Sequence, residues 1–179
     1  MYKKVAITNR KLCTDLLEQI KRLDASDFDY IVLREKDLSP EEYTALAEKA
    51  IKLSPKIILH NYVQTCETLD YKKIHLPLDI LRAEYSRVRN YEITGASIHS
   101  LAEAKEAEKL GATYVTASPI FRTKCKEDVE PKGLYWLKEI CKGVSIPVYA
   151  LGGINNINAQ NCIEAGAEGV CMMSSAMTY

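Results

Sequence analysis

A (β/α)8 barrel is the fold class this sequence predicts, and three observations carry the prediction. Short apolar segments alternate with helix-patterned segments along the chain, as in a parallel sheet with helical crossovers. The apolar segments number eight, enough to close a barrel. The last two run into a glycine turn, Gly152-Gly153, and a serine turn, Ser174-Ser175. In such barrels the loops after strands seven and eight often hold a substrate phosphate, because glycine lets backbone N–H groups approach it.

Each element follows from local pattern. Residues 4–8 are an apolar-centred strand, and residues 14–23 place Leu16, Leu17, Ile20 and Leu23 at helical spacing. Tyr30, Ile31, Val32 and Leu33 make strand two. Ser39-Pro40-Glu41-Glu42 is a capping box with proline at the first helical position. The helix behind it carries Tyr43, Leu46, Ala47, Ala50 and Leu53 on one face, and Ser54-Pro55 stops it. Residues 57–59 are strand three and 74–76 strand four; residues 61–73 between them leave little room for a full helix. Residues 92–97 are strand five. Ser100 and Glu103 then cap a helix with Leu101, Ala104, Ala107 and Leu110 inward. Residues 114–117 are strand six and 132–141 its helix, in which Tyr135, Trp136 and Ile140 read as packing residues. Residues 148–151, 156–165 and 169–173 supply strand seven, a helix closed by Gly166, and strand eight. Four residues follow Ser175, so no full eighth helix is expected. The chain is short for a barrel, about 250 residues being typical. An open flavodoxin-like sheet is the alternative; strand count and tail favour closure.

Composition fits one domain over residues 1–179. Lys plus Arg equals Asp plus Glu, 24 each, so net charge gives no case for nucleic acid or an anionic membrane as partner. No apolar run approaches the ~20 residues of a membrane span. The first residues lack the apolar core of a secretion signal, and a cytoplasmic location is expected. The six cysteines (13, 66, 125, 141, 162, 171) form no C-x-x-C pair and read as free thiols in a reducing compartment. H-E-x-x-H, G-x-S-x-G and Walker patterns do not occur.

The polar residues fall where a barrel concentrates its chemistry, at the carboxyl ends of strands. Arg34 and Lys36 follow strand two, His60 strand three, His75 strand four, Ser97 and His99 strand five. Ser118, Thr123 and Lys126 follow strand six, Gly153 strand seven and Ser174 strand eight. Basic side chains, hydroxyls and glycine turns together suit a phosphorylated or diphosphorylated substrate. Arg34 also stands beside Glu35 and Asp37, where a surface ion-pair cluster is the competing reading. His75 reads equally as a core or a ligand-binding histidine. His99 precedes a helix cap and reads as structural. Residues 123–128 are charged and aperiodic, either a solvated loop or a lid over the mouth.

Six segments resemble the thiamine phosphate synthase superfamily, which includes the TenI-type thiazole tautomerases. They are Ile7-Thr8-Asn9-Arg10-Lys11-Leu12-Cys13, Leu33-Arg34-Glu35-Lys36-Asp37, Gly95-Ala96-Ser97-Ile98-His99, Ser118-Pro119-Ile120-Phe121 with Thr123 and Lys126, Leu151-Gly152-Gly153-Ile154, and residues 169–174. The resemblance implies a (β/α)8 barrel that joins a pyrimidine diphosphate to thiazole phosphate, releasing diphosphate with Mg²⁺. It implies diphosphate contacts for Arg34, Lys36, Ser97 and Lys126, and thiazole phosphate contacts for Thr123, Gly153 and Ser174, with Gly152 in the same turn.

The departures concern the metal and the pyrimidine. Val32 stands where synthases usually have Gln, and His60-Asn61 where they have an Asn-Asp pair. Asp79 is the candidate for a further Mg²⁺ aspartate, one position out of step. Cys125 replaces a threonine, and Pro119 stands where the tautomerases place a catalytic histidine. A hard divalent cation prefers carboxylate oxygen, which His60-Asn61 does not supply. His60 or His75 is the candidate acid/base, with a pKa expected near neutrality. Three functions are compatible with these residues: a synthase with weakened metal use, a tautomerase-type isomerase, and a non-catalytic binder of thiazole phosphate or thiamine phosphate. Without an eighth helix, the outward faces of strands eight and one (Val170, Met172, Val5, Ile7 or their alternates) are expected partly bare, which favours a homodimer.

Overall fold

The computed structural model describes residues 2–122 and 129–179. Eight parallel strands close in sequence order: β1 (Lys3–Ile7), β2 (Tyr30–Leu33), β3 (Ile57–His60), β4 (Lys73–Pro77), β5 (Ile93–Ile98), β6 (Tyr114–Ala117), β7 (Val148–Leu151) and β8 (Gly169–Met172). Closure is made by β1 on β8, with Val5 opposite Cys171. The crossovers are α1 (Leu16–Asp24), α2 (Pro40–Leu53), α3 (Val63–Thr68), α4 (Leu78–Val88), α5 (Leu101–Lys109), α6 (Gly133–Gly143) and α7 (Ala159–Glu164), and α8 (Ser174–Met177) ends the chain.

The caps read in the sequence are made. Ser39 accepts from the Glu42 N–H while the Glu42 carboxylate accepts from the Ser39 N–H, starting α2 behind Pro40. Ser100 accepts from the Glu103 N–H at α5. The trimmed β3–β4 crossover is α3, with six residues. Helix α4 carries no clear signal in the sequence. Its start at Pro77 has no side-chain cap, and its buried residues, Leu78, Leu81 and Val88, are too sparse to stand out as a stripe.

Three expectations need correction. Helix α7 begins at Ala159 rather than 156, because Asn155 Oδ1 takes the Ile157 N–H at 2.8 Å and Asn158 Oδ1 takes the Asn155 N–H at 2.9 Å. Those side chains hold a turn that competes with the helix. Tyr135 does not pack: it is 80% exposed, while Ile140 one helical turn from Trp136 is buried. The partly bare outer wall is not there. Val170 and Met172 face outward and Val5 and Ile7 inward, yet all four are buried. The single turn α8 lays Ala176 and Met177 into the gap, Gln19 Nε2 ties α1 to the Ala176 carbonyl at 2.8 Å, and Tyr179 meets Phe28 edge-on at 5.7 Å. The surface that motivated a homodimer is thus covered by the chain itself.

Inside the barrel, Val5, Ile7, Val32, Ile58, Tyr114, Tyr149 and Cys171 form a buried cluster, with Tyr114 and Tyr149 stacked at 4.9 Å. Side chains alternate inward and outward along a strand, so the next inward position is two residues on. There the lining turns polar: Arg34 after Val32, His60 after Ile58, Ser97 after Gly95, Thr116 after Tyr114. This switch from apolar floor to polar rim positions the site.

Candidate active site at the carboxyl end of the barrel

A cavity of about 700 Å³ opens at the carboxyl ends of the strands. Arg34, Lys36, His60, His75, Ser97, Gly152, Gly153 and Ser174 all line it. Asn61 and Asp79 do not. Asn61 has a left-handed backbone, φ 69°, and Asp79 is exposed in the first turn of α4. Thr123 and Lys126 lie outside the described residues.

The cationic wall depends on a pairing one residue away. The Arg34 N–H donates to Thr8 Oγ1 at 2.9 Å, and Thr8 donates to Glu35 Oε1 at 2.7 Å. Glu35 is buried and also accepts from the Arg10 backbone N–H and guanidinium. Arg10 reaches on to Asp37 at 2.6 and 3.0 Å, and with Lys11 holds that carboxyl down at about 2. Arg10, not Arg34, is therefore the partner of the neighbouring acids. Arg34 and Lys36 line the cavity, and their charges add to burial and His75 in lowering the His60 pKa. Arg122 lines the same mouth, 3.6 Å from Glu130. No carboxylate lines the cavity among the described residues.

His60 and His75 sit side by side at the wall, both buried. Burial, helped by His75 and by Lys36 and Arg34, pushes His60 down to about 2; burial and Lys36 push His75 down to about 3. Both are neutral imidazoles near pH 7. The expected near-neutral pKa is not met, because a charged imidazole would sit unsolvated beside other cations. His75 is tied on both sides, Nδ1 to Tyr114 OH at 2.9 Å and Nε2 to Ser97 Oγ at 2.8 Å.

Across the mouth, Gly152 and Gly153 have φ +106° and +65°. A Cβ on Gly153 would lie 2.5 Å from the Arg122 carbonyl oxygen, and one on Gly152 2.8 Å from Pro119 Cα. Both positions need glycine for conformation and for space. Beside this turn, the buried Ser175 Oγ has no hydrogen-bond partner among the described residues, although it borders the cavity. A buried hydroxyl without a partner marks a place where a ligand atom would be welcome.

A family model described as thiamine monophosphate synthase matches residues 4–176. The chain belongs to that family. A putative thiamine-phosphate synthase 2 of Aquifex aeolicus is 36% identical over 175 residues, 94% of each chain. A thiamine-phosphate synthase of Syntrophomonas wolfei is 31% identical over 98% of this chain and 88% of its own. Among solved structures, a thiamine phosphate pyrophosphorylase from Pyrococcus furiosus superposes with a TM-score of 0.85 at 30% identity, covering 99% of this chain and 88% of its own.

In this thiamine monophosphate synthase family member the described donors suit Mg²⁺ poorly. Among the described residues no group of three His, Cys, Asp or Glu side chains is placed to hold a metal ion. The cavity offers imidazole, guanidinium and hydroxyl, whereas Mg²⁺ takes oxygen ligands, chiefly carboxylate. These residues do not fit a protein-held Mg²⁺. The five described cysteines are free, and no helix among the described residues is long and apolar enough to cross a membrane.

Four residues that line the cavity go beyond the site expected from the sequence: Asn9, Thr116, Arg122 and Asn155. Ser175 lines it with Ser174, in the expected serine turn, and His99, expected as structural, lines it too while its Nδ1 lies 2.9 Å from the Ser118 carbonyl oxygen. Thr116 carried a usable signal, since it stands two residues past Tyr114 in a strand whose inward set is then fixed. Arg122 and Asn155 lie in loops, where no periodicity announces direction.

Proposed function

We propose that this chain is a transferase of the thiamine-phosphate synthase class, joining a pyrimidine diphosphate to thiazole phosphate. In that reaction the bond from the pyrimidine methylene carbon to the diphosphate oxygen breaks, and diphosphate leaves with the electron pair. The thiazole nitrogen forms the new bond to that carbon. The observation that carries the reading is a cavity with two anion-suited sides. Arg34, Lys36 and Ser97 stand on one, and the Gly152-Gly153 turn with Ser174 and Ser175 on the other.

Each side has a role by its chemistry. Arg34 and Lys36 neutralise charge that builds on a departing diphosphate, the differential stabilisation that lowers a barrier. The glycine turn, Ser174 and Ser175 hold the second substrate's phosphate and so orient its ring nitrogen. Lys126 and Thr123, outside the described residues, are proposed for the diphosphate and thiazole phosphate respectively. With no fitting site for Mg²⁺ among the described residues, no step here runs through a protein-held metal; the basic side chains supply charge neutralisation. An isomerase reading would use His60 or His75 as general base, but imidazoles held at about 2 and 3 are poor proton carriers near neutrality. Binding of inorganic diphosphate, measured by calorimetry on wild type, Arg34→Gln and Lys36→Met, tests the assignment. Saturable binding lost in both variants is expected; undiminished binding in both would overturn it.

A further inference from the structure

Five residues form one connected cluster beneath the basic wall. Tyr114 OH lies 2.9 Å from His75 Nδ1, His75 Nε2 lies 2.8 Å from Ser97 Oγ, and Thr116 donates to the same Ser97 oxygen at 3.5 Å. Gly95 lies under the two rings. A Cβ there would fall inside contact distance of the Tyr114 hydroxyl and of His75 Nδ1, so a bare glycine is what lets them meet.

We propose that Tyr114, which does not line the cavity, is a positioning residue: through His75 it fixes Ser97 as a hydroxyl donor aimed at a bound anion. The direction of each hydrogen bond follows from the buried end. The Tyr114 phenol keeps its proton, because burial raises its pKa well above 10. Among the described residues the hydroxyl's one hydrogen-bond partner is His75 Nδ1; the Tyr149 ring stacks on the Tyr114 ring, and Cys171 belongs to the same buried cluster. If the phenol accepted from Nδ1–H, its own proton would be buried without an acceptor, which costs more than an ordinary hydrogen bond returns. The phenol therefore donates to Nδ1.

The rest is forced by the valence of a neutral imidazole, which has one N–H and one acceptor nitrogen. Nδ1 accepts, so Nε2 carries the proton and donates to Ser97 Oγ. Thr116 Oγ1, 3.5 Å from both Ser97 Oγ and His75 Nε2, closes the group and is a long donor to Ser97. Having accepted from Nε2–H at 2.8 Å, Ser97 keeps its own proton to point into the cavity, where an anion oxygen accepts it. The opposite tautomer would draw the Ser97 proton inward and present only lone pairs to an anion. Tyr114 thus sets the polarity of a contact it never touches. This inference rests on the synthase reading only in taking diphosphate as the anion.

The test is ¹⁵N NMR of the full chain labelled in histidine. The chain has three histidines, so His60→Asn and His99→Gln variants assign His75 by elimination. Wild type is expected to show His75 protonated at Nε2, with Nδ1 as the acceptor. Tyr114→Phe keeps the ring and removes the donor, so the Nδ1–H tautomer should appear. In parallel, affinity for inorganic diphosphate should fall about tenfold in Tyr114→Phe, the scale of one hydrogen bond to a charged group. Ser97→Ala should lose at least as much, and the double variant no more than Ser97→Ala alone. An Nδ1–H tautomer in wild type, an unchanged tautomer in Tyr114→Phe, or fully additive losses would overturn the proposal. The wild-type tautomer decides alone if Tyr114→Phe does not fold. A wild-type chain that binds no diphosphate but shows the Nε2–H tautomer would sink the synthase reading while leaving the Tyr114–His75 link supported.

Discussion

The His60 and His75 rings lie 6.0 Å apart, centroid to centroid, with planes 12° from parallel. Burial first, and nearby charge second, keep both imidazoles from taking a proton until well below pH 6.5, and this has a consequence for stability. Both folded-state pKa values, about 2 and about 3, lie below the ordinary 6.5. The unfolded chain therefore binds more protons between those limits, and stability falls as pH drops below 6.5. The expected slope is up to about 1.4 kcal/mol per pH unit for each histidine. Urea unfolding from pH 7 to pH 4.5 should show it, and His60→Asn should flatten it; a wild-type curve level across that window would contradict the neutral pair.

Gly153 and Gly111 share a left-handed backbone, φ +65° and +79°, but differ in surroundings. A Cβ on Gly153 would lie 2.5 Å from the Arg122 carbonyl oxygen, whereas one on Gly111 meets nothing within 4 Å. Gly111→Ala is expected to cost about 1 kcal/mol of stability and leave ligand binding alone. Gly153→Ala should weaken thiazole phosphate binding by at least about tenfold. Equal affinity in the two variants, by calorimetry, would remove the glycine turn from the site.

The donor set predicts weak Mg²⁺ binding by the free chain. Asn61→Asp should not improve it, since Asn61 does not line the cavity. Calorimetry that shows tight Mg²⁺ binding without diphosphate would refute this.

Met177 fills the outer wall where an eighth helix is reduced to one turn, and it is 3% exposed. Met177→Ala should cost roughly 2–4 kcal/mol in denaturant unfolding. A loss under about 0.5 kcal/mol, typical of a surface position, would mean the tail does not seal β1 and β8.

Periodicity and caps made the barrel legible, because eight short apolar runs separated by capped helices admit few other closures. Elements without such signals were lost: α4 has no side-chain cap, and Asn155 and Asn158 redirect the start of α7 by side-chain hydrogen bonds. Site residues on strands could be placed by counting in twos from an inward neighbour, as for Ser97 after Gly95. The partner of Glu35 could not, since Arg10 reaches it from another strand's loop. Nor could the histidine pKa values, which depend on how deeply two rings are buried. Tyr114 escaped because a strand tyrosine reads as packing until its hydroxyl is seen 2.9 Å from His75.

Thiamine phosphate formation by the purified chain, supplied with the pyrimidine diphosphate and thiazole phosphate, tests the central claim most directly. Product and released diphosphate should appear in equal amounts. Arg34→Ala should lower kcat/KM by about 10²–10³-fold, the scale of losing one group that stabilises developing charge. A folded chain that binds thiazole phosphate but forms no thiamine phosphate, with or without added Mg²⁺, would contradict the transferase account.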